Sequence, residues 1–241
     1  MKIVRTDKEL QTPVIDARLR EAGHELALLP DGIAEDKLIE QIGDVDLILM
    51  CYTPITSRII EAAKKLKGIV KYGVGVDAID IPAAVERGIP VVNIPEYAEE
   101  TVAEGAFAML IALAKKMPAI RNTMENNGWA WPEPEWRGSD IAGKTLGIVG
   151  FGKIGKSMAR MANKGFRARV ISFSPHTDST EMEKFGVIKY SSLTQLLSDS
   201  DFVSIHSVLN AETEKLIGEK ELRAMKSSAI IINSARGAII D

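Results

Sequence analysis

Apolar residues fall in short runs along this chain, separated by stretches with helical spacing. Ile3-Val4, Leu47-Ile48-Leu49, Ile69-Val70 and Val91-Val92 are rich in β-branched and aliphatic residues and too short for helices. Between them, 35–42 and 57–66 place apolar residues three and four apart, as an amphipathic helix does. Gly43, Gly68 and Gly88-Ile89-Pro90 punctuate the ends. A second series begins at Lys144, with strands predicted over 145–149, 170–173, 202–205 and 229–232 and helices between. Strands alternating with helices imply parallel sheets covered on both faces, because each parallel connection needs a crossover.

One longer helix is predicted over 102–116, joining the two series. Ala103, Ala106, Phe107, Leu110, Ile111 and Ala114 form its apolar face, and Pro118 follows its end. Thr101 and Glu104 have the spacing of a capping box, in which each side chain satisfies an orphan backbone N–H. Residues 126–140 differ in character. They hold all three tryptophans, Trp129, Trp131 and Trp136, with Gly128, Pro132, Pro134 and Gly138. An irregular arm is expected, its aromatics either docked on a second subunit or covering the chain's own core. Neither a tandem repeat nor a low-complexity segment stands out.

Composition narrows the function. With 241 residues, 46% of them apolar, one domain or two modest ones can each bury a core. A net charge of -3 points to neither nucleic acid nor an anionic membrane as partner. No apolar run approaches a membrane span, and Met1-Lys2-Ile3-Val4-Arg5-Thr6 lacks the apolar region of a signal peptide. The single cysteine, Cys51, excludes an intrachain disulfide and reads as a buried structural thiol. A cytoplasmic protein without a metal site is the expectation.

Gly150-Phe151-Gly152-Lys153-Ile154-Gly155 follows the apolar run Leu146-Gly147-Ile148-Val149 and precedes a helical pattern over 156–163. That context suits a dinucleotide-binding turn. Gly150 would allow the tight turn, Gly152 the approach of a pyrophosphate, and Gly155 the close packing of helix on strand. Lys153 and Ile154 open the helix, whose N-terminal N–H groups face the phosphates. Adenosyl-cofactor methyltransferases also use glycine-rich turns after a first strand, so this motif alone does not name the chemistry. An acid should end the next strand if the ribose of NAD is held there. Ser174 occupies that place, followed by Pro175, His176, Thr177 and Asp178. Ser174, His176 and Thr177 are candidates for a 2′-phosphate and Asp178 for the ribose, so NAD and NADP both remain open. A plain polar turn is the alternative.

Two further motifs complete a pattern: 71–80, Lys-Tyr-Gly-Val-Gly-Val-Asp-Ala-Ile-Asp, and 230–237, Ile-Ile-Ile-Asn-Ser-Ala-Arg-Gly. With the glycine loop, and in the same order, they resemble the D-isomer-specific 2-hydroxyacid dehydrogenases over nearly the whole chain. The resemblance implies an α/β fold of two Rossmann-like, doubly wound parallel-sheet domains, the second and its C-terminal return incomplete. A flavodoxin-like substrate-binding domain would span 1–98 and an NAD(P)-binding domain 99–241. It implies that Val74, Gly75 and Val76 hold the substrate carboxylate through main-chain N–H groups, which glycine lets converge. It makes Arg236 catalytic, holding the carboxylate and polarising the keto oxygen as hydride arrives. Ser234 and Ala235 would lie beside the nicotinamide, as would Thr101. His206 and Val208 match a segment on the adenosine side that usually reads His-x-Pro-Leu, with Val208 in place of the proline. For His206, a structural imidazole is the expected role rather than a catalytic base.

The resemblance also implies a glutamate and then a histidine beyond the arginine, the histidine carrying the proton. Five residues follow Arg236 here. A truncated chain with impaired turnover is therefore expected. The resulting function is NAD(P)-dependent interconversion of a 2-oxo acid and a D-2-hydroxy acid by a homodimer. Its alternative is a non-catalytic dinucleotide-sensing or interaction protein of the same fold. The 73–77 and 233–237 motifs speak against the methyltransferase.

Overall fold

Five short strands, each followed by a helix or loop on its way to the next, build the first sheet. The computed structural model describes residues 1–129 and 133–241, which divide into the units Met1–Tyr97 and Ala98–Asp241. The first unit runs β1 (Lys2–Arg5), α1 (Pro13–Glu21), β2 (Glu25–Leu28), α2 (Glu35–Ile42), β3 (Leu47–Met50), α3 (Ser57–Ala62), β4 (Gly68–Lys71), α4 (Ile81–Glu86) and β5 (Val91–Val92). Strand order is β2-β1-β3-β4-β5, with every pairing parallel. This is the flavodoxin-like winding, and it reverses direction between β1 and β3. Ile48, Met50 and Ile69 from the strands pack with Leu38, Ile42, Ile59, Ile60 and Ala84 from the helices. Each of the larger of these side chains, fully buried, contributes on the order of 2 kcal/mol. Caps fix two helix starts: Thr56 Oγ1 accepts from Ile59 N at 3.4 Å, and Asp80 Oδ1 from Ala83 N at 3.0 Å.

In the second unit, α5 (Glu99–Ala114) and α6 (Met117–Asn127) precede β6 (Thr145–Val149), α7 (Lys153–Arg160), β7 (Arg169–Phe173), α8 (Ser179–Glu183), β8 (Val187–Lys189), α9 (Leu193–Asp199), β9 (Phe202–Ile205), α10 (Glu219–Ala224) and β10 (Ile230–Asn233). A 3-10 turn at Pro134–Trp136 precedes β6, and a π turn at Met161–Gly165 continues α7. The order β10-β9-β6-β7-β8 is again wholly parallel and reverses between β6 and β9. Ligands of such sheets bind beyond the carboxyl ends of the strands at this reversal. The fold is therefore α/β with two Rossmann-like, doubly wound parallel sheets.

The helix leading into this unit departs from its expected form. It starts at Glu99, and its N-cap, Ala98, makes no side-chain cap bond. Thr101 lies inside the helix, so no capping box forms with Glu104. Glu99 and Glu100 occupy the first turn instead, where negative charge complements the helix dipole. Pro118 does not end helical structure either. Lys116, in the left-handed region at φ 58°, breaks the chain, and Pro118 sits in the first turn of α6, where its missing N–H is no loss. None of the residues of α6 is buried. The irregular arm thus starts at Gly128 rather than Asn126. Trp129 is 75% exposed, Trp136 is half-buried, and Trp131 and Pro132 lie outside the described residues.

Candidate dinucleotide and anion sites

β6 delivers the chain to Gly150, which adopts φ +93°. A Cβ there would stand 2.7 Å from Ser207 N and 2.8 Å from the His206 carbonyl carbon. At Gly155 a Cβ would meet Gly150 O at 2.4 Å. These two glycines are demanded by the fold itself. Gly152 is different: it caps α7, and a Cβ there would meet nothing within 4 Å. No side chain caps α7, so the N–H groups of its first turn, including those of Lys153, Ile154 and Gly155, have no intrahelical acceptor. Lys153 is exposed, and Ile154 packs on the core. Glu100 of α5 holds α7 in place, accepting from Ser157 Oγ at 2.7 Å and from Arg160 Nη2 at 2.5 Å.

Beside this loop, Ser207 Oγ is the one buried polar side-chain atom without a hydrogen-bond partner among the described residues. An open glycine, uncapped amides and an orphaned hydroxyl fit a diphosphate-bearing ligand.

Beyond β7, Ser174 Oγ lies 3.0 Å from Thr177 Oγ1, inside a turn closed by Thr177 N donating to Ser174 O at 3.2 Å. Lys189, the last residue of β8, donates its Nζ to Thr177 O at 2.6 Å and to Pro175 O at 3.5 Å. Reading the sequence missed this lysine because β8 itself was not foreseen. His176 is exposed, its Nε2 3.6 Å from a Glu212 carboxylate oxygen. Asp178 stands at the N-cap of α8 without a side-chain cap bond.

Beyond β9, His206 Nε2 lies 2.8 Å from Ser204 Oγ, and its Nδ1 lies 3.5 Å from Ser234 Oγ. Burial pushes the imidazole down to about 4, so it is neutral near pH 7. Val208 is exposed. After β10, Asn233 clasps the turn that carries Ser234, Ala235 and Arg236: its Oδ1 accepts from Ala235 N at 3.1 Å, and its Nδ2 donates to Arg236 O at 2.8 Å. Ser234 and Ala235 are half-buried. Arg236 is exposed, with Nη1 donating to Ala235 O at 2.9 Å.

In the first unit, Val74, Gly75 and Val76 form the turn after β4. Asn93 Nδ2 donates to Val74 O at 2.7 Å, and Ile94 N donates to Gly73 O at 3.0 Å. Beneath it lies a polar cluster invisible to sequence reading. Arg5, 2% exposed, pairs with Asp16 through Nε at 3.0 Å and Nη2 at 2.9 Å. Asp7, 1% exposed and left-handed at φ 56°, spans the reversal between β1 and β3. It accepts from Thr6 Oγ1, Thr53 Oγ1 and the backbone N–H groups of Cys51, Tyr52 and Thr53, at 2.7–3.3 Å. Burial alone would raise its carboxyl, but these hydrogen bonds outweigh burial and hold it below the usual range. Tyr72 donates its hydroxyl to Thr6 O at 2.7 Å, and burial pushes its phenol up to about 12.

A parallel sheet with a glycine turn after its first strand, uncapped amides beyond it and an arginine turn after its last is the framework of a dinucleotide-binding domain. The family description "D-isomer specific 2-hydroxyacid dehydrogenase, NAD binding domain" matches residues 107–241, and the chain belongs to that family. It is 41% identical over 210 residues to a glyoxylate reductase of Korarchaeum cryptofilum, covering 85% of this chain and 62% of that protein. It is 38% identical over 239 residues to a glyoxylate reductase of Thermococcus litoralis, covering 96% and 72%. Among solved structures, an acyclic imino acid reductase in complex with NADPH and D-Arg superposes with a TM-score of 0.87 at 31% identity, covering all of this chain and 76% of that one. The chain thus spans about two thirds of the length of the two glyoxylate reductases. No helix among the described residues is long and apolar enough to cross a membrane.

Proposed function

We propose that this chain carries the dinucleotide and carboxylate sites of an NAD(P)-dependent enzyme that interconverts a 2-oxo acid and a D-2-hydroxy acid. The observation that carries the reading is the open Gly152 against the uncapped start of α7, within a region that matches the family's NAD binding domain. Met1–Tyr97 serves the substrate and Ala98–Asp241 the dinucleotide. When bound, the nicotinamide supplies the hydride or accepts it. Gly150, Gly152, Lys153, Ile154 and Gly155 present the backbone to the pyrophosphate. Ser174 and the 174–178 turn receive the adenosine ribose, with or without a 2′-phosphate. His206 and Val208 flank the adenosine, and Ser234 and Ala235 flank the nicotinamide. Val74, Gly75 and Val76 hold the substrate carboxylate through N–H groups. Arg236 polarises the keto oxygen, where negative charge grows during reduction. The names of its relatives favour small substrates such as glyoxylate.

His206 is unsuited to proton transfer, being buried, bonded to Ser204 and shifted down to about 4. Dinucleotide binding is therefore assigned to this chain without a proton-transfer role for His206. A cytoplasmic homodimer fits the exposed Met109, Leu113, Met117 and Trp129 along α5, α6 and the arm. The test is fluorescence titration with NADH and NADPH, followed by turnover assays with glyoxylate, hydroxypyruvate and pyruvate. Failure to bind either dinucleotide refutes the reading.

A further inference from the structure

Lys71 is a buried lysine with no anionic partner among the described residues. It ends β4 and is only 6% exposed. Its Nζ donates to Cys51 O, lies 3.7 Å from Cys51 Sγ and sits 5.3 Å from the centroid of the Tyr52 ring. No carboxylate among the described residues comes within 4.0 Å of it. The Arg5–Asp16 pair is self-contained, and the oxygens of Asp7 are taken up by hydroxyls and backbone N–H groups. Cys51 does not supply the charge either. Burial pushes its thiol up, outweighing the nearby lysine, and keeps the sulfur neutral. Burying an ammonium is costly unless it is paired, so an unpaired one points to an anion that arrives from outside.

The side chain curls back under the substrate turn. A Cβ on Gly73 would stand 3.0 Å from Lys71 Cε and 3.3 Å from Nζ. Gly73 therefore lets the ammonium lie against the backbone that leads into Val74, Gly75 and Val76. Backbone N–H groups alone offer only partial positive charge. A full charge behind them, in a medium less polarisable than water, acts on a bound anion far more strongly than a solvated lysine would.

We propose that Lys71 is a carboxylate-selecting residue: its ammonium supplies the charge that lets the 74–76 turn hold the carboxylate of a 2-oxo acid. The assignment rests on the 2-oxo acid reading above. It adds a residue that selects anionic substrates over neutral carbonyl compounds of equal size.

The test uses the full 241-residue chain saturated with NADH. Oxamate serves as the carboxylate probe and ethyl oxamate as its neutral counterpart, both titrated by calorimetry. Lys71→Gln keeps a donor for Cys51 O but removes the charge, and Lys71→Arg keeps the charge. The expected result is that Lys71→Gln binds oxamate at least tenfold more weakly while its affinity for ethyl oxamate stays within about threefold. Lys71→Arg should keep most of the preference for oxamate. NADH affinity reports folding of the second unit, and circular dichroism reports the whole chain. If Lys71→Gln unfolds, Lys71→Arg against wild type in rising salt carries the test, because the charge predicts that preference persists in both. Equal weakening for both probes would show a structural role only and overturn the proposal, as would unchanged oxamate affinity. If wild type binds NADH but not oxamate, the 2-oxo acid reading falls first and takes this inference with it.

Discussion

Three glycines sit within six residues of the loop after β6, and replacing each by alanine should have opposite consequences. At Gly155 the new methyl would lie 2.4 Å from Gly150 O, about 1 Å inside ordinary contact with backbone that cannot rotate away. Separating β6 from α7 enough to admit it is overpacking, which costs about 1–3 kcal/mol. At Gly150 the same kind of clash, 2.7 Å from Ser207 N, adds to the strain of φ +93°, giving about 2–5 kcal/mol in all. Gly152→Ala meets nothing within 4 Å and keeps an ordinary backbone at φ -75°. Its weaker capping and its less disordered unfolded chain nearly cancel, leaving stability within about 0.5 kcal/mol. Yet its methyl occupies the space through which a pyrophosphate reaches the α7 amides. Thermal unfolding should therefore show Gly155→Ala and Gly150→Ala lowered by several degrees, at roughly 2–4 °C per kcal/mol, and Gly152→Ala unchanged. NADH fluorescence titration should show Gly152→Ala at least tenfold weaker than wild type. Wild-type affinity in Gly152→Ala, or a fall in its Tm matching that of Gly155→Ala, would refute the assignment of this loop.

Four further outcomes are expected. His206 has a folded pKa below its unfolded value, so the unfolded chain binds the extra proton between about pH 6.5 and 4; stability should be complete above that window and fall by on the order of 2 kcal/mol through it, and His206→Asn should flatten that part of a pH-dependent urea series. Ser174→Asp should move the NADH to NADPH affinity ratio toward NADH by tenfold or more in competition titrations, since a carboxylate repels a 2′-phosphate; an unchanged ratio would remove the 174–178 turn from ribose recognition. Asp7→Ala should cost about 2–4 kcal/mol in urea unfolding, because Cys51 N, Tyr52 N and Thr53 N lose their acceptor and alanine tolerates φ 56° poorly. Leu113→Glu, on the exposed side of α5, should yield a monomer in sedimentation if that face joins two copies, with NADH binding retained.

Every central strand was legible in the sequence, as were the edge strands β5 and β10, whereas the edge strands β2 and β8 were not. β3, β4, β6 and β9 are apolar runs because helices or loops cover them. β2 and β8 lie at the sheet edges, where Glu25, Leu28 and Ile188 face solvent and the pattern of alternation weakens. α6 escaped for a related reason: with no residue buried, it has no apolar stripe to betray it, and Pro118 looked like a stop. The glycine loop was legible because its constraints are local: Gly155 answers to Gly150 O in the same strand–turn–helix unit, Gly150 to His206 and Ser207 just past β9, and Gly152 opens α7. The cluster around Asp7 and Lys71 was not. It joins residues 20 to 66 positions apart, and no spacing along the chain marks that Arg5, Asp7, Cys51 and Lys71 will meet at one sheet end. Arg236 was found through its motif, but the clasp made by Asn233 shows why the motif has that form.

Every strand pairing described in the two sheets is parallel, and this dictates how the chain acquires its structure. A hairpin can zip within microseconds from one turn, but here no strand can pair with its chain neighbour until a crossover has been organised. β6 illustrates the cost: Leu146 pairs with Val170 on one side and with Phe202 on the other. The centre of the second sheet must stay half-made until 202–205 has emerged from the ribosome. The first sheet is complete in sequence by β5. Nascent chains should therefore protect residues 1–97 well before 145–149, with folding in the slow range of proteins dominated by non-local contacts.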